Sequence, residues 1–380
     1  MAGATPERIR TVALVGHTGT GKTTLAEALL HQAGVTSRMG SVDDGTTVSD
    51  TDPEELARHQ SLRTSVLPLD WREHQIILLD TPGYADFEHE AVAAMQAADL
   101  AVFVVSAADG VQVTRRRLWS IASELGLARL VFVNKLDREN ARFRTVLADL
   151  RSSFGAGVAP LELPIGVEAG FRGVADLLSD TGFVYDAGTR ETVPIPEDMA
   201  ELEHEVHDNL VEGIVVADDS LLERYLEGDV PSVDELEATL AVGVDAAQVF
   251  PVLCGSATGR IAVDRLADFL CEIGPSPLER RPVSVRAGDT TVDIVADASA
   301  DPLLTVFASH ADAYVGHVCF CRVTTGTVRD GDHLVNTRTG QDHRMHGFFI
   351  PRGGEHLDTT TAVAGDIISG PHPAATLAAD

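Results

Sequence analysis

Nine consecutive residues, Gly16-His17-Thr18-Gly19-Thr20-Gly21-Lys22-Thr23-Thr24, have the composition and spacing of a phosphate-binding turn. An apolar run over 11–15 precedes them and Leu25-Ala26-Glu27-Ala28-Leu29-Leu30 follows, giving the strand, glycine-rich turn and helix that G-x-x-x-x-G-K-T requires. Three glycines let the backbone curl so that consecutive N–H groups converge. The helix start adds free N–H groups and a positive dipole end, where anionic oxygens bind. In such a cradle Lys22 reaches the β- and γ-phosphates and the Thr23 hydroxyl ligates Mg²⁺.

Asp80-Thr81-Pro82-Gly83 closes a third apolar run. Asp80 is placed to hold Mg²⁺ through water. Gly83 has no side chain to keep its N–H from a γ-phosphate. Asn134-Lys135-Leu136-Asp137 closes another run. The Asp137 carboxylate can accept from guanine N1–H and the 2-amino group, a donor pair that adenine lacks. Asn134 is expected to brace the loop, and the Lys135 stem to lie along the base. Gly255-Ser256-Ala257 ends a later apolar run, and an amide of Ser256 or Ala257 is expected to donate to guanine O6.

These residues need a scaffold that brings strand ends together. Strand patterns over 11–15, 65–69, 75–80, 101–106 and 130–134 alternate with helical patterns over 22–32, 89–98, 114–125 and 139–154. That alternation predicts an α/β, doubly wound, mostly parallel sheet with ligands at the carboxyl ends of its strands. Residues 39–60 are polar and irregular, with a short helical stretch over 53–59, and read as a nucleotide-sensing loop.

The stretch between Asp137 and Gly255 is too long for a minimal domain. An α+β subdomain is expected over about 161–248, with strands over 182–185 and 192–195 and helices over 198–215, 219–227 and 233–247. Its acidic run Glu201-Leu202-Glu203-His204-Glu205 reads as a solvated face. A helix over 261–273 packs Leu266, Phe269 and Leu270. A linker is expected over 281–300, then a small β-barrel over 301–380 from strands at 303–309, 317–324 and 333–336. The first domain is thus 1–280.

Among 380 residues, 44% are hydrophobic, which suffices for two or three domains. The net charge of −29 opposes non-specific attachment to DNA or an anionic membrane. Arg115-Arg116-Arg117 is the one compact basic patch, with an exposed helix face as the simpler reading. Cys254, Cys271, Cys319 and Cys321 have no zinc spacing, and a reduced, cytoplasmic setting is expected. No signal core or apolar run long enough to span a membrane stands out.

Taken in order, the Gly16–Thr24 turn, Asp80-Thr81-Pro82-Gly83-Tyr84-Ala85-Asp86-Phe87, Asn134-Lys135-Leu136-Asp137-Arg138 and Gly255-Ser256-Ala257 resemble the translational GTPases, and within them elongation factor G. The insert position supports that branch. Asp312-Ala313-Tyr314-Val315-Gly316-His317-Val318 and Arg322-Val323-Thr324-Thr325-Gly326-Thr327-Val328 resemble the family's second domain. The resemblance implies GTP and GDP as ligands, Mg²⁺, both ribosomal subunits as partners and a monomer.

Three departures accompany it. Ser61 stands where the family's switch has a Mg²⁺-ligating Thr, retaining a hydroxyl. Tyr84 stands where the family has a water-positioning His, so hydrolysis is expected to be slow or differently triggered, with Lys22, Gly83 and Tyr84 as the catalytic candidates. A phenol carries no positive charge near neutrality, as an imidazole can. Finally, the family's later domains are absent, so a fragment of a longer factor is expected. Two rivals stay open: a GTP-dependent ribosome-binding module with negligible turnover, and a non-translational GTPase of ribosome assembly.

Overall fold

The computed structural model describes residues 4–109, 113–155, 157–215, 218–288, 290–312 and 316–371. The first unit runs β1 (Ile9–Val15), α1 (Lys22–Gln32), α2 (Pro53–Arg58), β2 (Ser65–Trp71), β3 (His74–Asp80), α3 (Glu88–Ala97), β4 (Leu100–Ser106), α4 (Val113–Glu124), β5 (Ala128–Asn134) and α5 (Phe143–Phe154). It then continues through β6 (Val158–Pro160), β7 (Glu162–Ile165), β8 (Gly173–Asp176), β9 (Thr181–Asp186), β10 (Thr189–Val193), α6 (Ala200–Val215), α7 (Asp219–Leu226), α8 (Val233–Asp245), β11 (Phe250–Cys254) and α9 (Val263–Glu272).

Seven strands make one sheet in the order β2-β3-β1-β4-β5-β11-β6. All neighbouring pairs are parallel except β2 with β3. Its central strands read as unbroken apolar runs because both faces are covered: every residue of β1, β4 and β5 is buried. Helices α1 and α9 pack together, as do α3 and α4.

The insert is built on a second sheet, β10-β9-β8-β7, all antiparallel. Sequence patterning marks the β9–β10 hairpin but not β6, β7 or β8, which are three or four residues long. In the acidic run Glu201 and His204 are exposed, whereas Glu203 is half-buried near His207, and the Leu202 and Glu205 side chains lie outside the description.

Helix α9 buries Leu266, Phe269 and Leu270, and its polar side as well. Asp264 accepts from the Tyr185 hydroxyl at 2.7 Å and pairs with Arg190 at 2.9 Å. Arg265 reaches Asp176 and lies 3.6 Å from Glu162. Asp268 accepts from the Trp71 indole at 2.9 Å. The insert is therefore fastened to the main sheet by a buried ionic network. Burial pushes Glu162 up to about 8, Arg265 partly offsetting it.

The expected linker is not featureless. It holds a hairpin, β12 (Val283–Ala287) and β13 (Thr290–Ile294), paired from Val283↔Ile294 to Ala287↔Thr290. Alternating β-branched residues and Gly288 at φ 63° explain it.

The barrel follows: β14 (Leu303–Asp312), β15 (Gly316–Thr325), β16 (Thr327–Arg329), β17 (His333–Val335), β18 (Asp342–Arg344), β19 (Phe349–Arg352), β20 (Glu355–Asp358), β21 (Thr361–Val363) and β22 (Ile367–Pro371). A five-stranded sheet β14-β15-β22-β19-β20 is joined by the ladders β16-β21 and β17-β18. Cys319 and Cys321 both point into its core, where 1% of each is exposed. Of the motif Asp312–Val318, residues 313–315 lie outside the described residues.

Several attachments join the barrel to the first unit: Phe307, Ala308 and Ile367 share its hydrophobic core, and the Thr11 hydroxyl on β1 donates to the Gly365 carbonyl at 3.1 Å. Arg322 pairs with Asp99 at 2.6 Å and also donates to the Ala97 carbonyl, all buried. Some distance away, the Gly353 amide donates to the Val66 carbonyl on β2 at 2.9 Å.

Candidate functional site

The glycine-rich turn links β1 to α1 at the carboxyl edge of the main sheet. Gly21 takes φ 90°, and a Cβ there would meet Asn134 Nδ2 at 2.5 Å. Only glycine lets the turn and the Asn134 loop approach so closely. Asn134 fastens three segments: its Nδ2 donates to the Thr20 carbonyl at 2.9 Å, and its Oδ1 accepts from the amides of Lys135 at 2.8 Å and Ala257 at 2.9 Å. The Lys135 ammonium donates to the Gly19 carbonyl.

A cleft of about 550 Å³ opens between these loops. Thr18, Gly19, Gly21, Lys22, Thr23 and Thr24 line it with Ser61, Gly83, Tyr84 and Lys135. A larger cavity, about 1160 Å³, lies between α4, the β12–β13 hairpin and the barrel, and holds none of the predicted residues. His17 and Thr20 stiffen the turn from within: the Thr20 hydroxyl donates to the His17 carbonyl at 3.0 Å. Asp137 is half-buried beside Arg138, whose Nε is 3.9 Å from its carboxylate.

The expected metal residues come together. Thr23 Oγ1 and Ser61 Oγ are 3.3 Å apart. Asp80 is 1% exposed, and neither carboxylate oxygen has a hydrogen-bond partner. Burial pushes it up to about 7, with Lys22 opposing. A buried, orphaned carboxylate beside two hydroxyls is a donor set that suits a hard divalent cation.

Sequence reasoning missed further members. Asp50 is 5% exposed at the same place, raised by burial, with one oxygen unpartnered. It lay in a loop rich in Ser, Thr and Asp, where no pattern singled it out. Glu55 accepts from the amides of Leu62 at 2.9 Å and Arg63 at 3.2 Å, shaping the segment that carries Ser61.

Two placements differ from expectation. The Ser256 and Ala257 amides are already engaged, with the Ile261 carbonyl and Asn134 Oδ1. Among the described residues, the amide of Thr258, on the cleft wall, has no acceptor and is free to donate, unlike those of Ser256 and Ala257. Gly83 turns its carbonyl, not its N–H, to the phosphate turn, accepting from the Thr18 amide at 3.0 Å. Lys22 meanwhile donates to the carbonyls of Gly16 at 3.0 Å and His17 at 3.1 Å. Tyr84 stands at the cleft mouth, 44% exposed.

Of the basic patch, Arg117 pairs with Glu88 at 2.7 Å and Arg116 donates to Ser153 at 3.3 Å, whereas the Arg115 side chain lies outside the description.

Residues 7–276 match the family described as Elongation factor Tu GTP binding domain. The chain belongs to that family of translational GTPases. Among its relatives is an elongation factor G-like protein of Thermotoga maritima, 32% identical over 363 residues, which are 95% of this chain and 52% of that one. A crystal structure from Thermus thermophilus superposes with a TM-score of 0.88 at 35% identity, covering 98% of this chain and 54% of the other. The chain thus spans about half the length of the relatives it matches. Guanine-nucleotide binding comes with the family. Among the described residues no helix is long and apolar enough to cross a membrane.

Proposed function

We propose that the chain is the nucleotide-handling part of an elongation factor G-like translation factor, hydrolysing GTP with Mg²⁺ in a cycle coupled to the ribosome. It divides into a GTPase domain over 1–280 with its insert at about 161–248, a connector over 281–300 and a barrel over 301–380. The observation that carries this reading is the orphaned Asp80 carboxylate beside Thr23 and Ser61 under a phosphate turn.

Thr23 and Ser61 would ligate Mg²⁺ directly and Asp80 through water. Bound there, the ion would neutralise charge building on the β- and γ-phosphate oxygens. Lys22 would exchange its two carbonyl partners for phosphate oxygens. Asn134 holds the base loop against the phosphate turn, Asp137 would select guanine and the Lys135 stem would flank it. Gly83 would turn its N–H inward once a γ-phosphate displaces its carbonyl from Thr18. Catalysis would rest on positioning and charge, with no covalent intermediate. A cytoplasmic monomer that meets both ribosomal subunits fits this reading.

Tyr84 favours a second reading, occupancy of the ribosome with little turnover. Its phenol accepts or donates one hydrogen bond but carries no positive charge near neutrality. Titration calorimetry with GTP and with ATP, each with Mg²⁺, tests the first claim: GTP binds and ATP does not, and equal binding overturns it. Single-turnover hydrolysis with ribosomes separates the two readings. A rate that Tyr84→His raises supports slow catalysis, and no turnover in either protein supports occupancy alone.

A further inference from the structure

Glu27 lies on α1, five positions after Lys22, and is a fully buried acidic residue. Its carboxylate reaches sideways off the phosphate helix into the loop of residues 39–60. One oxygen accepts from the Val48 amide at 2.6 Å and the other from the Gly40 amide at 3.1 Å. Gly40 has no room for a Cβ, which would meet Glu27 Oε2 at 2.4 Å and the Thr46 carbonyl at 2.7 Å. One side chain thus ties both ends of an irregular excursion to the helix that carries Lys22 and Thr23.

The chain leaving this knot runs into the metal side of the cleft. Ser49 follows Val48, and its carbonyl accepts from the Ser65 hydroxyl at 2.6 Å. Asp50 comes next, its amide held by Thr47 Oγ1 at 3.2 Å and its carboxylate set beside Ser61 and Asp80. Where Val48 sits therefore decides where Asp50 sits.

The opposite side of Val48 belongs to the barrel. The turn between β19 and β20 brings Gly353, at φ 53°, against it: a Cβ on Gly353 would meet the Val48 carbonyl oxygen at 2.0 Å. Gly354 faces Thr51 in the same way, with a Cβ at 3.3 Å from its methyl. The Val48 backbone is held through its N–H by the phosphate helix and crowded at its C=O, one peptide further on, by the barrel.

We propose that Glu27 and the Gly353-Gly354 turn are positioning elements for the Mg²⁺ side of the site, acting together through the Val48 backbone. This rests on the GTP and Mg²⁺ reading above. Its consequence is that barrel placement and metal demand are coupled: loosening either grip lets Asp50 and Ser61 drift from Thr23 and Asp80, without touching a phosphate-binding amide.

The test uses Glu27→Gln, which keeps the shape but lets only one of its two terminal atoms accept, and Gly353→Ala, which disturbs the same backbone from the barrel. Amide hydrogen exchange on the nucleotide-free proteins reads the grip, and the Mg²⁺ concentration that half-saturates GTP binding reads its consequence. In Glu27→Gln, exchange at Gly40 and Val48 should quicken by about tenfold or more and the Mg²⁺ requirement rise about tenfold. Gly353→Ala should move the Mg²⁺ requirement in the same direction. GDP binding in the presence of a chelator should stay within about twofold in both.

An unchanged Mg²⁺ requirement in either folded variant overturns the proposal. So does an equal loss of metal-free GDP binding, which would make Glu27 a mere prop of the phosphate helix. If Glu27→Gln does not fold, Gly353→Ala decides alone. Wild-type protein that binds no GTP at any Mg²⁺ concentration would sink the underlying reading, whereas normal wild-type binding with unaltered variants sinks only this inference.

Discussion

The amide of Thr18 donates to the carbonyl of Gly83 at 3.0 Å, so the turn after β3 closes over the phosphate loop. A Cβ on Gly83 would lie 2.5 Å from Thr18 N and 2.6 Å from Lys22 Nζ. Lysine can swing away, but the backbone amide cannot. Gly83→Ala must therefore open this closure, with a loss of about 1–3 kcal/mol. The expected outcome is a nucleotide-free melting temperature lower by several degrees. An unchanged value would show that the closure does not form in solution.

Asp80 predicts how the fold answers to metal. Neither oxygen of its buried carboxylate has a full hydrogen bond, so on the proposed reading a divalent ion would satisfy it and the nucleotide-loaded protein would gain stability by mass action. Thermal melts with GDP and rising Mg²⁺ should show an upward shift that Asp80→Asn largely removes. An equal shift in both proteins would place the ion elsewhere.

In the proposed site Asp137 would select the base. Replacing it by Asn turns one of its two acceptor atoms into a donor, leaving one of guanine's two hydrogens unmet and setting a donor against it. GTP affinity should fall by about 10²-fold or more, while xanthosine triphosphate, which offers an acceptor there, should gain. Competition binding with both nucleotides measures this, and an unaltered preference would remove Asp137 from the pocket.

Glu162 sets a pH dependence away from the cleft. It is fully buried, shares Arg265 with Asp176 and Asp268, and stands at about 8, against 4.5 ordinarily. Because its folded value is raised, the native state holds the proton more tightly than the unfolded chain. Its contribution to stability is therefore fully present below about 4.5 and is lost as pH rises toward 8. Glu162→Gln should flatten that decline in urea titrations between pH 6 and 8. A slope identical to wild type would show that the carboxylate ionises freely.

Arg322 and Asp99 predict cooperativity between the units. Arg322→Met leaves Asp99 buried and uncompensated, a loss of about 3–5 kcal/mol. Calorimetry should then resolve a barrel transition below that of the GTPase unit. A single undivided transition at the wild-type temperature would mean that the pair contributes nothing to the joint.

Much of this site could be read from residue order alone. Gly16 to Thr24, Asp80, Asn134 and Asp137 carry their chemistry in short spacings at strand ends, and an apolar strand such as Leu100–Ser106 announces itself. Other parts depend on meetings between distant segments. Asp50 became conspicuous only when its loop folded back against Thr23 and Asp80. The Ala257 amide looked available until Asn134 Oδ1, 123 positions away, was seen to occupy it. Strands as short as Val158–Pro160 have too few residues to show a period. Helix α9 was legible by its apolar side, yet the partners of Asp264, Arg265 and Asp268 come from the insert and from β2, which no helical pattern encodes.

The barrel is held to the GTPase unit by the Arg322–Asp99 pair, by the Gly353–Val66 and Thr11–Gly365 hydrogen bonds, and by Phe307, Ala308 and Ile367, which share the core of the larger unit. A joint that is both pinned by polar contacts and sealed by shared apolar packing offers no loose direction. Displacing the barrel any way must break a hydrogen bond or open a gap in a close-packed core, so the two units should move as one body until that seam gives.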